Sequence, residues 1–262
     1  MKDTDLIGVI ENIAPLYAAA SWDSSGMQVA AVRDEIRHVA LCLDPTPASV
    51  SSALAQGADF ICSHHPLLLH PRLPAHRDAY HKVLSLLLQH DVALYAAHTS
   101  LDVNPDGPAG WLSRSLQLQE AQVIEPTGTQ NGRPLGFGLV GNMAEALSLE
   151  ALTRRLGKHI PMENVSVCGP VPAHIRRIAY CTGSGSSLLP AVTASHADIY
   201  ITGDVKYHTA LETTTCILDV GHHSLEEEMM RHMSDLLRQS LPHLTVTFVS
   251  SVSPLRVLIQ QC

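Results

Sequence analysis

Six histidine and carboxylate side chains occur in this sequence at spacings that suit metal binding. Two are adjacent imidazoles after an apolar run, and four form two pairs in which a histidine precedes a carboxylate by four residues. The six are His64, His65, His98, Asp102, His222 and Glu226. Imidazole and carboxylate together bind Zn, Fe, Mn, Co or Ni, and more than four such ligands suit two ions better than one. The residues therefore predict two divalent metal ions per chain, each of which could be any of these metals.

The chemistry expected of such a centre is hydrolysis, because two divalent ions held a few ångström apart activate a shared water. The sequence shows no serine nucleophile elbow, reactive-cysteine signature, haem motif or flavin motif that would indicate another reaction. Asp23 and His208 are candidate catalytic residues, and Asp204 is a candidate to orient a ligand imidazole. Structural roles stay open for each of them: His208 and Asp204 could be helix-start or surface residues, and Asp23 could simply turn its loop.

Two loops offer further candidate ligand contacts. Trp22 lies in the turn-rich segment 21–26, where it could line a pocket or anchor the loop. Residues 182–187 form a Gly-rich turn between a predicted strand and a predicted helix, and its backbone amides could hold a phosphate. The turn fits neither the dinucleotide fingerprint nor the P-loop, so a plain tight turn is the favoured interpretation.

The candidate ligands follow short apolar runs that are typical of buried strands. Such runs end just before His64, His98 and His222. Predicted helices over residues 48–56 and 80–89 each connect two consecutive predicted strands. They complete two βαβ units, which indicates a parallel sheet. Open α/β sheets bind ligands beyond the carboxyl ends of their strands. The predicted elements would therefore present the histidines where ligands bind.

A similar order of strands and helices appears in both halves of the sequence. We therefore expect an α/β fold with two similar three-layer lobes, mostly parallel or mixed sheets, and the metal site in the cleft between them. Residues 125–134 are rich in Gly, Pro, Thr and Asn and mark the candidate boundary. The first lobe is predicted to span residues 1–125 and to be completed by the segment 240–262, and the second lobe to span 126–239.

Composition narrows the class of protein. The chain has 262 residues, a formal net charge of -8 and only 17 Lys and Arg residues, so general nucleic-acid binding is not expected. The 6 cysteines show no paired short spacing, which indicates a reducing compartment. The polar amino terminus is not a signal-peptide core, and no apolar stretch approaches ~18 residues. We predict a soluble cytoplasmic protein without a membrane partner.

The order of the motifs resembles the Nif-three-like (NGG-interacting factor) family, also labelled GTP cyclohydrolase I type 2 homologues. The resemblance runs nearly from end to end of the chain, and the combination of motifs is specific. The motifs are Trp22-Asp23-x-x-Gly26, Ser63-His64-His65-Pro66, His98-Thr99-x-Leu101-Asp102, Gly183-Ser184-Gly185, Thr202-Gly203-Asp204 with Tyr207-His208, and Gly221-His222 with Glu226.

This resemblance implies a dinuclear metal site formed by the same six residues and a toroidal homohexamer whose metal sites face an inner cavity. It implies the compact form of the family, because the stretch between Asp102 and Thr182 leaves no room for the extra domain of some members. The implied activity is metal-dependent opening of the guanine ring of GTP, with release of formate on the way to dihydroneopterin triphosphate.

Two alternatives to that activity stay open. The chain could be a dinuclear metallohydrolase that acts on another nucleotide or on a phosphoester. It could also be a non-catalytic metal-binding scaffold or a metal-handling protein.

Overall fold

The structure is a computed structural model that describes residues 1–33 and 35–256. Helices alternate with strands that form two sheets. The strands are β1 Gly26–Val29, β2 His38–Cys42, β3 Phe60–Ser63, β4 Ala93–Ala96, β5 Gln119–Gln130, β6 Arg133–Leu147, β7 Ser166–Cys168, β8 Ile175–Ser184, β9 Ile199–Gly203, β10 Cys216–Asp219 and β11 Thr245–Val249. The α-helices are α1 Asp3–Ile13, α2 Pro47–Ala55, α3 Ala79–His90, α4 Thr99–Asp102, α5 Trp111–Leu116, α6 Leu149–Leu156, α7 Leu189–Ala194, α8 Tyr207–Glu212 and α9 His222–Ser240. Across residues 1–33 and 35–256, no helix is long and apolar enough to cross a membrane.

The chain divides into two compact units, each with one sheet. The first comprises Met1–Pro108 and Met230–Ser251, and the second comprises Ala109–Met229 and residues 252–256. In the first unit the strand order is β1-β4-β3-β2-β11, and all neighbours are parallel except β1 with β4. In the second unit the order is β5-β6-β8-β9-β10-β7, where only β8, β9 and β10 are parallel to one another. Both sheets are therefore mixed, which confirms the expected α/β class.

A long hairpin replaces the predicted boundary at residues 125–134. Strands β5 and β6 run antiparallel, and the turn between them contains Asn131 and Gly132, both with positive φ. The Gly and Pro residues that suggested a boundary lie within these strands or at their turn. They are compatible with β-structure here because β5 is an edge strand, where Pro126 loses no second partner.

Local signals in the sequence start several helices. Thr46 accepts a hydrogen bond from Ser49 N (3.1 Å), with Pro47 at the first helical position of α2. The side chain of Asp78 likewise caps α3, and that of Ser148 caps α6. These caps start the helices that follow β2, β3 and β6, so that each can pack its apolar face against a sheet.

Each unit has its own apolar core. In the first unit, Ala40 and Cys42 of β2 belong to one apolar cluster with Ile61 of β3, Leu94 of β4 and Val83 of α3. The spacing of two along β2 is that of one face of a strand. The second unit has a similar cluster, with Ala179 and Cys181 of β8, Tyr200 of β9, Ile217 of β10 and Val192 of α7.

The cysteines belong to these sheets. Cys42, Cys62, Cys181 and Cys216 are buried and Cys168 is partly buried, all as thiols. Burial raises the pKa of Cys62 to about 12, so this thiol is an unreactive apolar side chain. All five therefore serve as apolar side chains, and Cys262 lies outside the described residues.

An aspartate joins neighbouring strands at their amino ends in both units. Asp59 precedes β3 and accepts hydrogen bonds from the backbone N–H groups of Arg37 (3.1 Å) and His38 (3.0 Å) beside β2. Asp198 precedes β9 and accepts from Arg176 N (2.8 Å) and Arg177 N (2.7 Å) in β8. Each aspartate thus fixes the register of a parallel pair whose opposite end leads to the candidate ligands.

We expect Asp59→Ala to lower the free energy of unfolding by about 1–3 kcal/mol, because two backbone donors lose their acceptor. Urea unfolding followed by circular dichroism measures the change. Asp235→Ala is the control, since Asp235 pairs with Arg238 (2.6 Å) on the exposed surface of α9 and should change stability by less than about 0.5 kcal/mol. Equal effects of the two substitutions would contradict the role given to Asp59.

Candidate metal centre

Three histidines of the first unit gather at the carboxyl ends of adjacent strands. His64 and His65 follow β3, and His98 follows β4, which is parallel to β3. Their ring centroids are 4.9 Å (His64 to His65), 5.3 Å (His64 to His98) and 5.5 Å (His65 to His98) apart. One potential ligand atom from each lies within 4.8 Å of those of the other two, so the three could hold a metal ion. The strand order places them together, as the apolar runs predicted.

Asp102 joins this group through a short helix. The short helix α4 spans Thr99–Asp102, with His98 at the residue before it. A helical turn brings residues four apart to one side. Asp102 Oδ2 consequently lies 3.9 Å from His64 Nε2.

Every one of these imidazoles is held by a hydrogen bond at Nδ1. His64 Nδ1 donates to Ala97 O (2.9 Å), His65 Nδ1 to Asp44 Oδ1 (2.8 Å) and His98 Nδ1 to Asp23 Oδ1 (2.6 Å). Carbonyl and carboxylate oxygens only accept, so they fix the proton on Nδ1. Nε2 is then the nitrogen that can bind a metal, which is the arrangement common to histidine ligands of metals in proteins.

Asp23 is the most extensively bonded of these partners. Besides the ring of His98, its carboxylate accepts from Ser25 Oγ (2.5 Å) and from both Thr99 N (3.1 Å) and Thr99 Oγ1 (2.5 Å). Burial raises the pKa of Asp23, but the hydrogen bonds from His98, Ser25 and Thr99 outweigh it and hold the pKa far below its ordinary value. The carboxylate stays ionised, and its bonds assign it to positioning His98.

Asp44 is a contact that the sequence reasoning missed. It follows β2, which lies beside β3 with Cys42 opposite Ser63, so two further residues bring Asp44 next to His65. His65 N also donates to Leu43 O (3.0 Å). The signal was present in the sequence as an aspartate just past a strand, but its use requires knowing that β2 and β3 are neighbours.

The second unit holds a histidine–glutamate pair. His222 Nε2 lies 2.8 Å from Glu226 Oε2, and His222 Nδ1 donates to Asp204 Oδ2 (2.6 Å). Helix α9 begins at His222, so both side chains are on α9. Asp219 fixes the adjoining loops by accepting from Val205 N and Gly221 N, each at 2.9 Å.

Two carboxylates set the charge of His222. Burial lowers its pKa, but hydrogen bonds and charge from Glu226 and Asp204 outweigh burial and raise the pKa to about 9. The metal-free ring is therefore protonated at neutral pH and donates at both nitrogens. A divalent cation between the imidazole and Glu226 would take the place of the Nε2 proton and meet the same negative charge.

The Gly-rich turn supports this pair. Gly183 has a φ of +58°, and a Cβ at this position would collide with Glu226 Oε1 and lie 3.1 Å from His222 Nε2. The backbone groups of Gly185 in the same turn are already hydrogen-bonded within the protein. Gly185 N donates to Thr202 Oγ1 (2.9 Å), and Gly185 O accepts from Tyr200 Oη (2.9 Å). These contacts favour the tight-turn interpretation over a phosphate cradle.

His208, the second catalytic candidate, is exposed on α8. Its ring lies against Tyr207, with the centroids 5.3 Å apart and the planes at 78°. A catalytic role for His208 stays a prediction.

The fold and these side chains define a mixed α/β protein with two sheets and with histidine and carboxylate groups that could hold a metal ion. Residues 1–254 match the family described as Duf34/NIF3 (NGG1p interacting factor 3). The chain belongs to this family, and the resemblance seen in its motifs is confirmed.

Individual relatives cover nearly the whole chain. NIF3-like protein 1 of Drosophila melanogaster is 31% identical over 252 residues, which are 93% of this chain and 84% of that protein. The GTP cyclohydrolase 1 type 2 homolog of Lactococcus lactis subsp. lactis is 31% identical over 246 residues, or 91% and 92% of the two chains. A crystal structure of a Bacillus cereus protein related to NIF3 shares the fold with a TM-score of 0.87 and 22% identity, covering 98% of this chain and 99% of that chain.

We expect Gly183→Ala to weaken metal binding by about 10- to 100-fold, because the new methyl group must displace the Glu226 carboxylate. Gly132→Ala is the matched control: Gly132 also has a positive φ, +76°, but a Cβ there meets nothing within 4 Å. Both variants share the backbone strain, so only the collision differs. Competition with a chromophoric chelator measures the affinity, and equal losses in the two variants would refute the packing role of Gly183.

Proposed function

We propose that this chain binds two divalent metal ions through six side chains and uses them for hydrolysis. The proposed ligands are His64, His65, His98, Asp102, His222 and Glu226. The observation that carries the proposal is the hydrogen bond that Nδ1 of each of the four histidines donates, to Ala97 O, Asp44, Asp23 and Asp204 respectively. Side chains that merely fill a core have no need of such uniform orientation.

The six side chains carry the right ligand atoms for the proposed ions, and the protein leaves space for one of these side chains. Nitrogen and carboxylate ligands bind Zn, Fe, Mn, Co and Ni, and Gly183 leaves space for the Glu226 carboxylate, since a Cβ there would collide with Glu226 Oε1. Such ions would supply Lewis-acid activation of water and of the bond to be broken. The carboxylates of Asp23, Asp44 and Asp204 orient the imidazoles and add negative charge behind them.

For the reaction, we propose the opening of the guanine ring of GTP with release of formate. Family membership and the name GTP cyclohydrolase 1 type 2 homolog, given to several relatives, support this choice. Asp23 serves as a positioning carboxylate because its oxygens already accept four hydrogen bonds from His98, Ser25 and Thr99. His208 is the proposed side chain for contact with the substrate, since it is exposed. The family resemblance further supports a homohexamer, and the composition supports a place in the cytoplasm.

The test is formate release from GTP by protein loaded separately with Zn, Fe, Mn, Co or Ni, with metal content determined on the same samples. We expect release with at least one metal and two ions per chain. Glu226→Ala should lower metal content and reduce formate release at least about tenfold. Loss of a residue that only hydrogen-bonds to a metal ligand already reduces metal affinity or activity by that much, and Glu226 is a proposed ligand itself.

Glu150→Ala is the control, since Glu150 makes only an exposed ion pair with Arg154 (2.6 Å) on α6. It should keep both metal content and rate. No formate from wild-type protein that holds two metals per chain would contradict the cyclohydrolase proposal. Unchanged metal content in His222→Ala would contradict the ligand assignment.

A further inference from the structure

The two tryptophans of this chain lie in opposite environments. Trp111 is fully buried, with an exposed fraction of 0%, whereas Trp22 is 64% exposed. An indole is among the side chains that gain most from burial. The exposure of Trp22 is therefore a feature that the folding of this unit does not explain.

The loop that carries Trp22 is fixed on both sides of this residue. Ala20 N donates to Thr99 Oγ1 (3.0 Å), and Asp23 N donates to Ala20 O (3.0 Å). Asp23 itself is held by His98, Ser25 and Thr99, and its side chain is only 1% exposed. Because the backbone before and after it is anchored, Trp22 is presented in one place rather than on a loose loop.

That place is beside a proposed metal ligand. The rings of Trp22 and His98 are 5.8 Å apart with an interplanar angle of 73°, an edge-to-face contact. Most of the indole surface remains open to solvent next to this contact. A flat molecule stacked on the indole would be held directly beside the side chain whose Nε2 is assigned to the metal.

We propose that Trp22 is the stacking surface for the purine ring of a nucleotide substrate. The proposal rests on the proposed function and adds the residue that would hold the ring. An indole has no charge with which to bind phosphates, but its π-face stacks with any planar heteroaromatic ring. The edge contact with His98 fixes the orientation of the indole, and this sets the plane in which the purine ring lies.

The test uses tryptophan fluorescence of the full chain loaded with metal. Subtracting the emission of Trp22→Phe, which retains Trp111, isolates the emission of Trp22 without altering the buried residue. We expect this difference emission to be that of an exposed indole, quenched by acrylamide. Guanosine and GTP should quench it as they bind, whereas inorganic tripolyphosphate, which has no ring, should not.

Equilibrium dialysis with radiolabelled guanosine gives the affinities. Trp22→Ala should weaken binding about 5- to 100-fold, as expected for loss of one stacked base, and Trp22→Phe should restore part of it. Metal content should be unchanged in both variants, because Trp22 is not a ligand. Leu88→Ala removes a side chain of similar exposure, 65%, from α3 of the same unit and should bind guanosine like wild type.

The outcomes separate this inference from the proposed reaction. Quenching by guanosine without formate release from GTP would leave the stacking role standing and refute the reaction. Formate release with no change of affinity or KM in Trp22→Ala would overturn the stacking role alone. Difference emission that acrylamide does not quench would also overturn it, because Trp22 would then be covered by another copy of the chain.

Discussion

The structure of the candidate centre depends on one interaction, the hydrogen bond from an imidazole Nδ1–H to a fixed oxygen acceptor. A histidine at the end of a buried strand loses water and needs a partner for each ring nitrogen. His64 finds a backbone carbonyl, and His65, His98 and His222 find carboxylates. In each case the acceptor keeps a proton on Nδ1 and leaves Nε2 as the nitrogen that could bind a metal. Removing the acceptor would allow the ring to turn or to exchange its proton.

The order of strands supplies these acceptors. Asp44 reaches His65 only because β2 and β3 are parallel neighbours, and the carbonyl of Ala97 reaches His64 only because β4 lies on the other side of β3. The second unit reaches a similar result through β9 and β10, with Asp204 after the one and His222 after the other. The same sheet geometry therefore orients ligands that are far apart in the sequence.

Much of this could be predicted from sequence, and the failures have physical reasons. The apolar runs before His64, His98 and His222 revealed the strand ends, because burial and strand length are encoded locally. Asp44 was missed because strand adjacency is a long-range property. The start of α9 at His222 could not be predicted, because Asp204, from a distant segment, holds the His222 ring. The hairpin at residues 125–134 was read as a boundary because its Gly and Pro residues suit an edge strand as well as a linker.

The aspartates at the amino ends of β3 and β9 have a consequence for how this fold can change. On β3, Asp59 and His64 are separated by roughly 16 Å of extended chain, with only apolar residues and Ser63 between them. The two units retain an Ala-Asp pair at the amino end of these strands, yet His64 and His65 of one correspond to Gly203 and Asp204 of the other. The aspartate at the amino end of the strand holds neighbouring strands together, whereas the residues that follow its carboxyl end differ between the two units. The residues at the carboxyl end of such a strand could therefore be replaced during evolution while the aspartate that stabilises the sheet is kept.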